Sequence, residues 1–335
     1  MDPNYTVSIL VSVFGVERYI ERCARSLFEQ TYPDLEYIFV DDGTEDDSVA
    51  VLERVMKEYP GRATSTRIIR HGVNRGLAAA RNTAFDHARG AFVCVVDGDD
   101  WLEPDAVERM VGRQVATGAD VVWGKALMHT ENGEVELKEP AYRDVEEWRQ
   151  CYFRFTTGLV MVNWRRIIRR SLLEKYHIRH EEGLHIGNDK QFMPLVAYFA
   201  ESFSSVDAIV YHYERRNPDA HTYKNSHGMY SLVGYTREIE SMGRVIRFLA
   251  DKEPAYLDTA QTARMERLLA YRKDALVHAS RKGFRTMVRW IWETPAGYRE
   301  RYGWGRRSWK TAIKSNYAMS RLLLSAREAA GRLKE

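Results

Sequence analysis

Cysteine is scarce in this chain: three in 335 residues, Cys23, Cys94 and Cys151, far apart and in no metal-ligand or redox spacing. A disulfide framework and a cysteine-built zinc centre are thereby excluded. Cys23 and Cys94 sit in apolar contexts and read as small core residues in a reducing compartment. No apolar run approaches the roughly 20 residues that cross a bilayer. The start, Met1-Asp2-Pro3-Asn4, has no basic region, so no secretory leader is expected and a cytoplasmic location follows. Two phosphate-binding signatures are also missing. The turn after the first apolar run, Val13-Phe14-Gly15-Val16-Glu17, holds one glycine where a G-x-G-x-x-G fingerprint needs three, and no G-x-x-x-x-G-K-[ST] loop occurs. A bound phosphate is therefore not held chiefly by a backbone nest. Internal repeats and low-complexity tracts are absent.

What is present describes a globular protein with a substantial core: 44% hydrophobic and 29% charged residues, enough chain for one large domain or two ordinary ones. The net charge of +3 hides an asymmetry. From residue 264 onward there are 18 Lys/Arg against 6 Asp/Glu, a net of +12, which leaves the remaining 263 residues at −9. A basic end of this kind implies an anionic partner for that part.

Across the first 120 residues, apolar runs alternate with helical spacing. Residues 7–14, 35–40, 66–70, 91–96 and 120–123 read as strands, and residues 17–30, 48–59, 76–89 and 104–117 as helices. That alternation predicts an α/β fold: a mostly parallel sheet with right-handed crossovers and helices on both faces. The central strand, Val93-Cys94-Val95-Val96, runs into Asp97-Gly98-Asp99-Asp100-Trp101. A second strand ends in Asp41-Asp42-Gly43-Thr44. Carboxylates at the carboxyl ends of parallel strands sit where open α/β sheets place ligands. Asp97 and Asp99, two apart, point the same way in extended backbone, and paired hard oxygens suit Mg²⁺ or Mn²⁺ held against phosphates. A solvated acidic turn ahead of a helix is the plainer alternative. Phe14 is placed to cover a base, and Asp41 to accept from a base N–H.

Four ordered motifs go further. Residues 8–15, Val40-Asp41-Asp42-Gly43-Thr44, Asn74-Arg75-Gly76-Leu77-Ala78-Ala79-Ala80-Arg81-Asn82 and Val96-Asp97-Gly98-Asp99-Asp100-Trp101-Leu102 resemble, in order and spacing, glycosyltransferase family 2 on the GT-A fold, over roughly residues 5–215. The resemblance implies an inverting transfer from a nucleoside diphosphate sugar, usually a UDP-sugar, with Mn²⁺ or Mg²⁺. Carried over by position, Ser12 and Phe14 lie at the base, Glu17 near the nucleoside, Asp41 on the base edge and Arg75 on base or phosphate. Asp97 holds the ribose or sugar side and Asp99 ligates the metal. Asp42 reads equally as a turn or cap residue, and Arg81 as a surface ion-pair partner.

Inversion needs a carboxylate that takes the acceptor hydroxyl's proton. The family's Glu-Asp pair maps onto Asn188-Asp189, which keeps Asp189 as the expected catalytic base and replaces the Glu. Glu181 and Glu182 are the fallback carboxylates, and Asp189 also suits a helix start. His212, in Val210-Tyr211-His212-Tyr213, is a candidate second metal ligand beside Asp99; simple packing is the competing role. His221 is a lesser substitute, and Arg215 or Arg216 could reach a diphosphate. The aromatics Trp148, Tyr152, Phe153, Phe155 and Trp164 are expected to be core for the most part, with some shaping an acceptor site.

Two domains are expected: a GT-A domain over 1–215 and a helical, basic region over 216–335. Within the latter, Lys310, Lys314, Arg321 and Arg332 fall in an arc of about 40° on a helical projection, which reads as binding to an anionic membrane surface. The expected partners are a nucleotide-sugar donor and a glycan or lipid-linked acceptor of surface polysaccharide or glycolipid synthesis, with the enzyme cytoplasmic or peripheral on the inner membrane face. An inactive nucleotide-sugar-binding scaffold is the alternative, prompted by Asn188. Nucleic acid is not expected, because no known binding module with a basic stripe and interleaved aromatics is present.

Overall fold

The computed structural model describes residues 7–155, 161–183, 187–218, 220, 232–277, 280–302, 304, 317, 318 and 320. It divides into two compact units, 1–152 with 156–227, and 153–155 with 228–335. The last strand ends at Glu214, one residue before the expected boundary at 215, and the first unit continues to residue 227.

The first unit is built on one mixed sheet. Its strands are β1 (Val7–Val13), β2 (Leu35–Asp41), β3 (Thr66–Arg70), β4 (Phe92–Asp97), β5 (Trp101–Leu102), β6 (Val121–Thr130), β7 (Gly133–Leu137), β8 (Arg166–Arg169) and β9 (Phe203–Glu214). The helices among them are α1 (Ile20–Phe28), α2 (Ser48–Glu58), α3 (Pro60–Ala63), α4 (Leu77–His87), α5 (Ala106–Thr117), α6 (Val145–Phe153), α7 (Arg170–Lys175) and α8 (Asn188–Phe199). The strand order is β3-β2-β1-β4-β8-β6-β9-β5, with β7 on β6. β3, β2, β1 and β4 are parallel, as the α/β alternation demands. The parallel run ends there, because β8 inserts antiparallel between β4 and β6.

β4 is buried along its apolar length. Cys23 and Cys94 are fully buried, as their contexts suggested. The aromatics Trp148, Tyr152, Phe153, Phe155 and Trp164 are all buried, so the expected acceptor wall is core.

The second unit is helical: α9 (Leu232–Leu249), α10 (Pro254–Val277), α11 (Arg281–Glu293) and α12 (Ala296–Arg301). α10 packs against α9, α11 and α12. Phe284 and Ala275 join α11 to α10, with Tyr317 against them. The basic segment 308–335 lies outside the described residues apart from 317, 318 and 320, as does His221. Among the described residues, no helix is long and apolar enough to cross a membrane.

Candidate active site

Strand register assembles the site. In the parallel pairs on either side of β1, Val13 stands opposite Asp41 and Ser12 opposite Asp97. The carboxyl ends of β2 and β4 thus finish level with that of β1, and their aspartates flank it. Gly98 permits this closeness: a Cβ there would lie 3.0 Å from the Ser12 carbonyl and 3.2 Å from a Val16 methyl. The turn after β1 is laced to the loop after β2. The Gly15 amide donates to Thr44 Oγ1 (2.9 Å), the Val16 amide to Ser48 Oγ (3.0 Å), and the Asp47 amide to Glu17 Oε2 (3.2 Å). Phe14 projects from this turn with 52% of its surface exposed. A large aromatic left in water at a strand's carboxyl end has no packing explanation, and a planar ligand would supply one.

Asp41 accepts from the Thr44 amide (2.9 Å) and closes the β2 turn. Asp42 is buried and braces the loop before α4. Its carboxylate accepts from the Arg75 amide (2.9 Å), the Gly76 amide (2.8 Å) and His71 Nδ1 (2.7 Å). Gly43 is forced by the same contact: its φ is +73°, and a Cβ would meet the Asn74 nitrogen at 2.8 Å. Asp42 is therefore a brace for the loop ahead of α4. Arg75 extends outward, its guanidinium 3.5 Å from Glu182.

The Asp97–Asp100 segment is clamped to β9. Tyr211 Oη donates to Asp100 Oδ2 (2.6 Å) and accepts from the Asp97 amide (3.1 Å), and the Glu214 amide donates to Asp100 Oδ1 (2.8 Å). Burial pushes Asp100 well above the usual carboxylate range, and the Asp99 charge adds to it. From the other side, Arg22 stacks on Trp101 at 3.5 Å and donates to the Asp99 carbonyl (3.1 Å) and to Glu214 (3.2 Å). With two guanidinium partners, Arg216 first and Arg22 after it, Glu214 is held down at about 2 despite its burial. Tyr211→Phe removes one bond from a buried carboxyl and one from the Asp97 amide. It is expected to cost about 1–3 kcal/mol, read as a lower urea midpoint at unchanged slope.

Asp99 accepts from Asn217 Nδ2 (2.8 Å). Its pKa is pushed up to about 6, first by burial and then by the neighbouring Asp97. Two carboxylates crowded in this way are relieved by a cation. Among the described residues no group of three or more His, Cys, Asp and Glu forms a ligand cluster. A cation here would take the Asp99 carboxylate and draw its other ligands from phosphate and water, the usual coordination of Mg²⁺ and Mn²⁺. The residues present fit such an ion.

His212 is placed elsewhere. Its Nε2 meets Glu103 Oε1 (2.8 Å), its Nδ1 meets His129 Nε2 (3.0 Å), and its ring stacks on Trp101 at 4.8 Å. Both ring nitrogens are engaged, by Glu103 and His129, and Asn217 is the side chain bonded to Asp99.

Asp189 enters from α8. Gly187, with φ +82°, precedes the helix, and Asp189 lies in its first turn. Its carboxylate is not spent on capping: Oδ1 accepts from Arg81 Nη1 (3.0 Å), while Arg81 Nη2 donates to Asp97 Oδ1 (2.8 Å). Arg81 is a buried cation joining the two acids, not a surface ion-pair partner. Burial raises the pKa of Asp189 above its ordinary value, and Arg81 opposes that rise. Asn82 fixes the approach to α8, exchanging bonds of 2.8 and 2.9 Å with the His180 backbone. Asp97 thus neighbours Asp99 and, through Arg81, Asp189, and register sets Ser12 and Asp41 at the adjoining strand ends. Sequence reasoning passed over Asn217, Asp100 with Tyr211, and Arg22 with Trp101.

A GT-A sheet with this acidic rim defines a class of sugar-nucleotide-dependent folds, and comparison with known proteins gives the family. The model described as Glycosyl transferase family 2 matches residues 8–177, half of the chain, and the chain belongs to that family. It is 32% identical to EpsH of Bacillus subtilis over 213 residues, 62% of this chain and 60% of that protein. It is also 39% identical to chondroitin synthase of Escherichia coli over 102 residues, 30% of this chain and 14% of that one. The chain thus spans about 60% of the length of EpsH and far less of the synthase. Among solved structures, S. aureus TarS 1-349 in complex with UDP-GlcNAc aligns with a TM-score of 0.71 at 17% identity, covering 97% of this chain and 92% of that one. The mannosyltransferase PcManGT from Pyrobaculum calidifontis, in complex with GDP-Man and Mn2+, aligns at 0.53 and 19% identity. At these identities the two structures speak for the fold.

Proposed function

We propose that this chain is an inverting glycosyltransferase that moves a sugar from a nucleoside diphosphate sugar, a UDP-sugar first among them, to a hydroxyl of a glycan or lipid-linked acceptor in surface polysaccharide or glycolipid synthesis. The observation that carries the reading is Asp97 at the end of β4, crowded by Asp99 on one side and tied through Arg81 to Asp189 on the other, with an exposed Phe14 at the end of the neighbouring strand β1. Phe14 would stack on the base, with Asp41 and Ser12 at its edge, Glu17 near the nucleoside and Arg75 toward base or phosphate. Asp97 would meet the ribose or sugar. Asp99 would hold Mn²⁺ or Mg²⁺, which supplies charge stabilisation to the departing diphosphate. Asp189 would take the proton of the attacking hydroxyl, and Asp189 and Asp97 are held on one guanidinium so that base and donor stay in fixed relation.

A screen of nucleotide-sugars with Mn²⁺, read by thermal midpoint and by release of nucleoside diphosphate, tests the reading. A donor is expected to raise the midpoint with Mn²⁺ at about pH 7, and the gain should shrink toward about pH 5, because Asp99 takes up a proton on the way down and loses its charge for the cation. Binding without turnover on any acceptor would make the chain an inactive scaffold. No shift with any nucleotide would end the proposal.

A further inference from the structure

The exposed face of α11 is the strongest feature that the catalytic rim does not use. Phe284, Met287 and Ile291 are buried along one side of the helix. On a projection of ~100° per residue, Arg281, Trp292, Arg285, Arg289 and Lys282 fall within an arc of about 100° that excludes the buried side chains. Arg281, Lys282, Arg285, Arg289 and Trp292 are all exposed, and the stripe runs about 16 Å along the helix. Arg289 lies 3.6 Å from Glu293. Among the described residues, no carboxylate pairs with Arg281, Lys282 or Arg285. Trp292, 38% exposed, is braced by the Arg299 guanidinium over its ring (4.8 Å) and by Trp304 edge-on at 6.1 Å. It is a large apolar side chain at the end of a cationic strip.

We propose that this face of α11 docks on an anionic phospholipid surface. A straight, shallow row of cations fits a planar array of head-group phosphates, and an interfacial tryptophan suits the boundary between head groups and acyl chains. The chain's own end does not complement the strip, since residues 303–335 carry eight Lys/Arg against two Asp/Glu. A nucleic acid is less well served, because the face offers no groove and no interleaved aromatics to stack on bases. The attraction is local, because the residues before 264 carry a net charge of −9. The proposal uses residues of α11 alone and does not rest on the catalytic reading, so it stands if that reading fails.

The test is co-sedimentation of the full chain with vesicles of phosphatidylcholine alone, and of equal parts phosphatidylcholine and phosphatidylglycerol. Donor turnover on a soluble acceptor is measured in parallel. Wild type is expected to bind only the mixed vesicles, at about 50 mM salt and not at about 500 mM. Each basic residue near the surface is worth about fivefold in binding, so the triple variant Arg281→Glu, Lys282→Glu, Arg285→Glu should lose about a hundredfold or more. Gln at the same three positions should give an intermediate loss, and it replaces the Glu set if that set fails to fold. Lys310→Glu with Lys314→Glu and Arg321→Glu should leave measurable binding. The proposal is overturned by a folded triple variant that binds as wild type does, or by wild type that ignores the mixed vesicles at low salt.

Discussion

Asp189→Asn is expected to lower kcat about a thousandfold while the donor KM changes less than about threefold. A positioned base contributes about 10²–10⁴ to such a transfer, and the amide cannot take the proton. The substitution is nearly silent for packing, because the Asn oxygen can still accept from Arg81 Nη1, the one side-chain bond this carboxylate makes at 3.0 Å. Stability should hold or rise above about pH 5. Burial raises the Asp189 pKa in the folded chain. The native state therefore keeps a proton that the unfolded chain has released, and stability falls as pH rises through that interval. The neutral amide removes this slope. Full-progress kinetics on donor and acceptor, with a urea melt at two pH values, checks both halves. Retention of a tenth or more of kcat would move the base to Glu181 or Glu182. Glu182 is already engaged by Arg75 at 3.5 Å in the free chain.

The parallel half of the fold was legible because its strands are apolar runs bounded by glycine and aspartate. The order of four motifs then named the family and most of the rim. β8 was not legible. Its sequence, Arg166-Ile167-Ile168-Arg169, begins on an arginine, and charge at a strand's start reads as loop. Arg165 and Arg166 are nevertheless fully buried, because Glu139 accepts from both, at 2.8 and 2.7 Å, and Tyr152 lies 2.8 Å from Arg166. Those partners are 14 or more positions away, so burial of the charge depends on tertiary pairing that no local pattern contains. His212 shows the same limit on a smaller scale. Its position beside Trp101 follows from strand order, but which atoms its nitrogens face does not. Arg81 could have been placed. It lies three residues after Ala78 and four before Phe85, and both are on the buried side of α4. An arginine on an apolar helical face is committed to a buried partner.

Arg81→Met should be the most damaging single change in the rim. The guanidinium is 4% exposed and makes its two ion pairs at 2.8 and 3.0 Å. Its removal leaves Asp97 and Asp189 facing each other without the cation that separates them. Breaking a buried pair from one side costs about 3–5 kcal/mol. The lower half of that range is expected here, because the Asp189 side chain retains 22% of its surface in solvent. The pH dependence identifies the cause. Arg81 opposes the upward push of burial on Asp189, so its loss lets that pKa climb further. An acid whose folded pKa lies above its unfolded value costs stability as pH rises past the unfolded value. The deficit of the variant should therefore be largest above about pH 7 and smaller at about pH 4.5. The same climb withdraws the ionised base, so the acid limb of kcat/KM should move to higher pH, with kcat falling more than the donor KM rises. Arg81→Lys keeps the charge but cannot hold two carboxylates in one planar fork, so it should recover stability more fully than rate. A cavity alone would lower stability equally at every pH and leave the acid limb where it was, and that outcome would reduce Arg81 to a packing residue.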